Sequence, residues 1–319
     1  MKKWIGLSFI ISILVACTSI DKKEEEIAKV KVAVKFAMFH DAFFTSSINE
    51  LSNVKEEYPY MFPSQMSDSL ILERQQDTIQ QFLYKQVKHV YPTFKKQKKE
   101  LISLFKHIKY YDNNFPIPVV VTDITGVSYQ DRILYANNLL LISLDMYLGK
   151  EHEVYGGYPE YLAETFTPDY IAIDVAKKLI ETKYKFSRDR TFLGQIIFEG
   201  KKLYLTQLFV PNTTDKYLLG YTNPKMEWAT KNEAPVWSYF IKNELLYSND
   251  AKLKQRFVDV APFSKFYMSI DKDSPGQIGK YIGLQIVKAY MSKHQKTPQE
   301  LMELEAQTIL NQSGFKPKK

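Results

Sequence analysis

The sequence predicts an α+β fold, with strands and helices mixed in the N-terminal half and helices almost alone in the C-terminal half. Three observations predict it. Apolar residues alternate with period two, or run unbroken over strand length, only in the first half. From Pro168 onward they recur at helical spacing. Pro168, Pro224, Pro275 and Pro298 sit at or just before expected helix starts, where a missing N–H costs nothing.

Val30 to Phe36 alternates Val30, Val32, Val34 and Phe36 with Lys31, Ala33 and Lys35, which reads as a half-buried strand. A short helix is expected over 41–54, and the two prolines of Tyr58–Pro63 make that stretch a loop. Residues 68–90 read as one helix with Leu72, Ile79, Phe82, Leu83 and Val87 at helical spacing, ended by Pro92. A second helix over 95–110 carries Leu101, Leu104, Phe105 and Ile108 on one face. Residues 116–124 form a strand between prolines. Residues 135–147 hold two apolar segments broken at Asn137-Asn138, the second of which, 139–144, reads as a central strand. Residues 149–159, with Gly156-Gly157, form a loop. Helices follow over 169–182, 192–208, 224–247, 276–292 and 298–310. No repeat and no low-complexity linker interrupts the chain, so residues 29–319 are expected to form a single domain.

The N-terminus reads as an export signal. Met1-Lys2-Lys3 is a short positive segment, and the apolar stretch from Trp4 to Val15 is too short for a bilayer, which takes about 20 apolar residues. It ends Leu14-Val15-Ala16-Cys17, small residues suited to a signal peptidase followed by a thiol suited to lipidation. Residues 1–16 are expected to be removed, leaving Cys17 as an acylated first residue. Two or three acyl chains anchor firmly, because each buried CH2 adds about 0.8 kcal/mol. Thr18, rather than an aspartate, follows the cysteine, which points to the outer membrane. Residues 17–28 then read as the lipidated cysteine and a charged tether, Asp21-Lys22-Lys23-Glu24-Glu25-Glu26. As a solvated linker this run leaves the body on the periplasmic face. As an acidic export tag it would send the body to the cell surface.

Cys17 is the one cysteine in 319 residues, so no intramolecular disulfide, thiolate catalysis or Cys-rich zinc site is expected. Hydrophobic residues make up 45% of the chain, enough for a large core. The net charge of +7 falls to +5 once Lys2 and Lys3 leave with the signal. The run Lys95-Lys96-Gln97-Lys98-Lys99 is the wet face of a helix, because no nucleic-acid partner is expected of an exported chain.

The five histidines are never three to five residues apart, and His152-Glu153 meets Gly156 where a second ligand would stand. No G-x-S-x-G elbow, P-loop or dinucleotide fingerprint appears, so no cofactor is expected. Gly276-x-x-Gly279-x-x-x-Gly283 is no phosphate loop. Its last two glycines lie one helical turn apart and suit close backbone packing.

Several ordered strings in the second half are distinctive together: Phe198-Glu199-Gly200-Lys201-Lys202, Gly220-Tyr221-Thr222, Asn232-Glu233-Ala234-Pro235-Val236-Trp237, Ala261-Pro262-Phe263-Ser264-Lys265-Phe266 and Ser274-Pro275-Gly276-Gln277-Ile278-Gly279. The set resembles the gliding-motility lipoprotein GldB family across essentially the whole chain. The resemblance implies an outer-membrane lipoprotein that works with motility proteins and the type IX secretion machinery, held to the membrane by its lipid. The family in turn looks like a distant relative of zinc metallopeptidases of the H-E-x-x-H class. On that resemblance the fold is a degenerate zincin, with Glu199 in the general-base position and Phe198 and Lys202 in place of the two histidine ligands. Neither replacement offers a lone pair to a metal at neutral pH. Glu233 then stands where a third, acidic ligand is common. The implied reading is a non-catalytic body in which the Lys202 ammonium takes the place of the metal and pairs with Glu199 or Glu233. Trp237 would line a cleft for a peptide or partner segment. The alternatives are that Lys201 and Lys202 point at solvent, and that the protein is a membrane-anchored hydrolase with an atypical site.

Overall fold

A computed structural model describes residues 22–63, 66–184 and 189–318. The expected signal peptide and the Cys17 lipidation site lie outside the described residues.

The first described residues, 22–29, are helical (α1). Ile27 is the one large apolar side chain amid this charged run, and it is only 3% exposed. Around it Glu24 lies 3.3 Å from His107, Tyr110 donates to Glu26 at 2.8 Å, and Lys106 donates to the Ala28 carbonyl at 2.6 Å. The described part of the charged tether is therefore docked on the body.

The sheet has four strands, β1 (Phe36–Ala37), β2 (Val119–Asp123), β3 (Ile133–Ala136) and β4 (Leu139–Ser143), in the order β1-β2-β4-β3. The first two and β4 run parallel, and β3 pairs antiparallel with β4 along the edge. The break at Asn137-Asn138 is a tight hairpin turn. Both residues have positive φ (50° and 62°), which asparagine tolerates and a two-residue hairpin requires. The alternation from Val30 to Phe36 is real at the side chains, since Val30, Val32, Val34 and Phe36 are half-buried and the residues between them exposed. Only Phe36 and Ala37 join the ladder. Alternation reports which way side chains face, and does not require a paired backbone.

The helices that follow β1 are α2 (Phe39–Thr45), α3 (Leu51–Glu57), α4 (Asp68–Gln76), α5 (Thr78–Val90) and α6 (Lys95–Tyr111). The helix expected over 68–90 is two helices. The Asp77 side chain accepts from Gln80 N at 2.8 Å and starts a new helix instead of continuing the old one. The split turns Ile79 outward, whereas Leu83 and Val87 stay buried. On α6 the expected face is fully buried at Leu101, Leu104, Phe105 and Ile108.

The second half comprises α7 (Glu160–Ala163), α8 (Ile171–Lys183), α9 (Phe192–Phe209), α10 (Asp215–Leu219), α11 (Asn223–Lys231), α12 (Glu233–Lys242), α13 (Ala251–Phe257), α14 (Ile278–Met291), α15 (Pro298–Glu303) and α16 (Ala306–Ser313). The expected 224–247 helix breaks at Asn232, whose amide bonds back to the Trp228 carbonyl at 2.8 Å, and it ends at Lys242. The expected 298–310 helix divides between α15 and α16. The chain is thus α+β, with the sheet in the N-terminal half and helices in the C-terminal half.

Helix α8 lies against β3 and α9, and α9 packs most extensively on α14. Glycine makes that last contact possible. A Cβ at Gly283 would stand 1.8 Å from the Ile196 carbonyl oxygen, and one at Gly200 2.3 Å from the Gly283 carbonyl carbon. Gly279 has no more room, with the Phe257 carbonyl oxygen 2.8 Å from its Cβ position. The sequence's expectation of close backbone packing at Gly279 and Gly283 is met. The helix itself starts at Ile278, after Gln277 in a left-handed conformation.

One buried polar pair ties the helices to the sheet. His40 on α2 is 2% exposed, and its Nδ1 lies 2.7 Å from Thr122 Oγ1 on β2. Burial pushes the imidazole down to about 4, although Asp41 pulls the other way. Its 3.8 Å approach to Asp41 is therefore no ion pair at neutral pH.

Two outcomes follow. Gly283→Ala should lower unfolding stability in urea by at least about 1–3 kcal/mol, since its Cβ meets backbone that cannot rotate away; an unchanged urea midpoint would contradict the crossing. The unfolded imidazole takes its proton near 6.5 and the folded one near 4. Stability should therefore be independent of this group above 6.5 and fall as pH drops toward 4, by up to about 3 kcal/mol. His40→Gln should flatten that part of the stability–pH curve.

Candidate functional site

A cavity of about 500 Å³ is bounded by α8, α9, the start of α14 and the loops beside them. That size suits a drug-sized ligand or a short chain segment.

Each wall is placed by local sequence. Residues Asp174, Lys177 and Glu181 recur on α8 at three- and four-residue steps, so they share one face. On α9 the Thr191 side chain caps the first turn by accepting from Gly194 N at 3.0 Å. Glu199, Lys202 and Thr206 then fall on one face of the helix and line the cavity. The α9–α14 crossing brings Lys280 up to Glu199 from the opposite side. A Cβ at Gly276 would lie 1.8 Å from the Ala261 carbonyl oxygen, so only glycine lets the 260–262 and 275–277 segments close together. Tyr221 donates to the Gly276 carbonyl at 2.6 Å. Lys225 donates to the carbonyls of Lys272, Asp273 and Ser274 at 3.0, 3.1 and 2.9 Å, which holds that loop in place.

The wall is rich in cations, and all but one are matched. Glu199 accepts an ion pair from Lys202 at 2.7 Å and faces Lys280 at 3.7 Å. Burial alone would raise the Glu199 carboxyl, but the Lys280 and Lys202 ammonium groups outweigh it and hold the group below its ordinary value. Burial lowers Lys280, with Glu199 pulling it back. Arg132 pairs with Asp174 at 3.3 Å and donates to Thr165 Oγ1 at 3.0 Å. Burial opposes the charge of Arg132, yet Asp174 keeps it raised. Tyr147 completes the shell of Asp174 by donating at 3.0 Å. Lys177 is the exception. It lines the cavity and has no hydrogen bond or ion pair among the described residues. Burial pushes its amine down to about 8, with Asp174 pulling up and Arg132 and Lys280 pushing down.

The residues expected to form a site separate into two groups. Glu199 and Lys202 come together in the cavity wall, and the Lys202 ammonium also lies 5.1 Å over the Phe198 ring. Glu233 and Trp237 lie elsewhere. Glu233 is buried at the start of α12, where it accepts from Tyr281 at 2.6 Å and from Lys318 N at 3.0 Å. Trp237 packs edge-on against Phe315 at 5.6 Å. Together they fasten the C-terminal segment to α12. Lys201 does not point at solvent: it is 4% exposed and donates to the Leu304 carbonyl at 2.5 Å. Burial lowers its amine to about 8. Sequence reasoning missed Arg132, Lys177 and Lys280. For the two lysines a signal existed, since Lys177 interrupts the apolar run 171–180 and Lys280 sits inside Ile278–Leu284. No three His, Cys, Asp or Glu side chains are grouped to hold a metal ion among the described residues.

The family model described as gliding motility protein GldB matches residues 20–317 of the chain. No curated protein and no solved structure matches it.

Glu199 neutralises two neighbours at once, so its loss should cost more than one surface pair. Glu199→Gln should destabilise the fold by about 1–3 kcal/mol, below the about 3–5 kcal/mol of a fully buried broken pair because the groups keep some solvent contact. Adding Lys280→Met should recover part of that loss. A double-mutant cycle in urea reads the coupling, and strict additivity would show that the pair carries no stability.

Proposed function

The chain belongs to the gliding-motility protein GldB family, and on that premise we propose that it is an outer-membrane lipoprotein serving as a non-catalytic binding component of the gliding and type IX secretion machinery. The observation that carries the non-catalytic part is the state of Glu199. A general base working near neutral pH needs a carboxyl raised toward that pH. Glu199 is instead held low by two ammonium groups, one of them 2.7 Å away. It is engaged as a counter-ion, in the position where the peptidase resemblance puts a base.

The anchor reading rests on Leu14-Val15-Ala16-Cys17 and gains support from α1. Only Thr18, Ser19, Ile20 and Asp21 separate Cys17 from the first described residue of the docked helix. The five steps from Cys17 to Lys22 reach at most about 18 Å. A lipid on Cys17 would hold the body against the bilayer with little swing, and no described helix is long and apolar enough to cross a membrane. Glu24 and Glu26 of the acidic run contact His107 and Tyr110, which favours a structural use of that run and the periplasmic face over a cell-surface export tag. The partners on this reading are motility and secretion proteins, with no nucleic acid and no cofactor.

Three measurements test the proposal. Cys17→Ser should move the protein out of the outer-membrane fraction and stop gliding at normal protein levels; a variant still seated in that fraction contradicts lipidation. Crosslinking in living cells should recover motility or secretion proteins. Peptide hydrolysis by the purified protein that disappears in Glu199→Gln would replace the binding reading with the enzymatic one.

A further inference from the structure

We propose that the cavity between α8, α9 and α14 binds a monoanionic carboxylate carried on an apolar or aromatic body, with Lys177 as the docking cation. The inference names the ligand chemistry that the binding reading above leaves open, and rests on it.

Charge matching inside the wall leaves one cation without a contact partner among the described residues. Arg132 is committed to Asp174 and Thr165, with distances of 3.3 and 3.0 Å. Lys202 and Lys280 share Glu199. Lys225 is committed to three backbone carbonyls. Lys177 alone has no contact partner among the described residues, and it lines the opening. Asp174 and Glu181, one turn away on α8, act on it without touching it, and a partly buried cation with no contact partner costs folding stability, because its lost hydration is not fully replaced. Those two carboxylates offset only part of that cost, since burial still holds the amine below its ordinary value, and a partner from outside would offset the rest. One free ammonium matches one negative charge. A phosphate would call for more than one free donor or an open guanidinium fork, and the fork of Arg132 is taken.

The rest of the wall sets the body of the ligand. Tyr129, Tyr161, Leu203, Leu218, Val260 and Pro262 line the same space, so the part of the ligand beyond the carboxylate is apolar. Two sources carry this chemistry, the free C-terminus of a protein chain with apolar last residues and a small free carboxylic acid.

The titration of the site supplies an independent handle. Lys177 is faced by Asp174 and Glu181 from α8, Arg132 from beside β3, Lys280 from α14, and Glu199 and Lys202 from α9. With its amine at about 8, Lys177 is charged at neutral pH and loses its proton as pH rises past that value. Lys280 shifts in the same direction, so both changes weaken an anion's hold as pH rises.

The test is calorimetric titration of the full-length protein in detergent with four probes: N-acetyl-leucyl-phenylalanine, its C-terminal amide, 3-phenylpropanoate and 3-phenylpropanamide. The expected result is that the acids bind at least about tenfold more tightly than the amides, a preference that fades as pH is raised past 8. Lys177→Met should bring acid and amide to parity and, by removing the enclosed charge, raise the midpoint of thermal unfolding at neutral pH. A purely structural lysine would lower that midpoint instead. The peptide acid binding tighter than phenylpropanoate assigns the site to a chain terminus, and the reverse order assigns it to a small acid. Equal binding of acid and amide, an acid preference that survives Lys177→Met, or no saturation by any acid below about 10 mM overturns the inference. The Cys17→Ser gliding assay does not involve the cavity, so such a failure is distinguishable from a failure of the anchored-component reading.

Discussion

The contact between Gly200 on α9 and Gly283 on α14 fixes how near those two helices lie, and the cavity is a consequence of that nearness. With a Cβ at Gly283 pressing on the Ile196 carbonyl at 1.8 Å, the helices could not keep this crossing. Separation would carry Lys280 away from Glu199, now 3.7 Å apart, and leave each partly buried charge short of its partner. Backbone packing and electrostatics are therefore one constraint. Two side chains of a single hydrogen are what allow charged residues from different helices to share one wall.

That wall shows how a helical body can carry charge inside without unfolding. Glu199 serves two lysines, Asp174 serves Arg132 and accepts from Tyr147, and Lys201 lies behind them on the Leu304 carbonyl. Each is a charge-assisted contact, the kind strong enough to repay lost hydration. The stability of such an arrangement is set by completeness: one missing partner costs more than a whole pair replaced by apolar side chains. Lys177 stands out against this background because its neighbours show that the fold can supply counter-ions.

Much of the fold was legible in the sequence, and the places where it was not share a cause. Period and proline placement located α6, α8, α9 and α14 within a few residues, because those helices bury a continuous apolar face. Misplaced boundaries lie at Asp77, at Asn232, at Lys242, at the turn between α15 and α16, and within the helix expected over 41–54, which divides between α2 and α3. At the first two a short polar side chain bonds to nearby backbone, and helical periodicity runs across the break undisturbed. The strand at Val30–Phe36 shows the complementary failure, side-chain alternation without ladder partners. For the site, i to i+3 spacing was enough to put Glu199 beside Lys202. It carried no information about Lys280, 78 positions further on from Lys202, or about Arg132, which reach the cavity only through the helix crossing and the sheet. Glu233 and Trp237 looked like site residues because of the strings around them. They are instead fastened to Lys318 and Phe315, a tertiary pairing that local pattern does not encode.

The two ends of the described chain are both tied down, and this bears on what the body can do at a membrane. Residues 22–29 dock on α6 through a set of polar contacts around the buried Ile27, and the C-terminal segment is pinned to α12 through Glu233 and Trp237. An anchor at Cys17 would then act on a rigid body through a few residues, so the surface around α1 and α6 would face the lipid. The cavity belongs to other helices, α8, α9 and α14. An anchor at Cys17 and a ligand in the cavity would thus use different elements of the chain. If its partners were also held at that membrane, a fixed orientation would raise the effective concentration of the cavity near them. A modest affinity for a single carboxylate would then suffice for a specific contact.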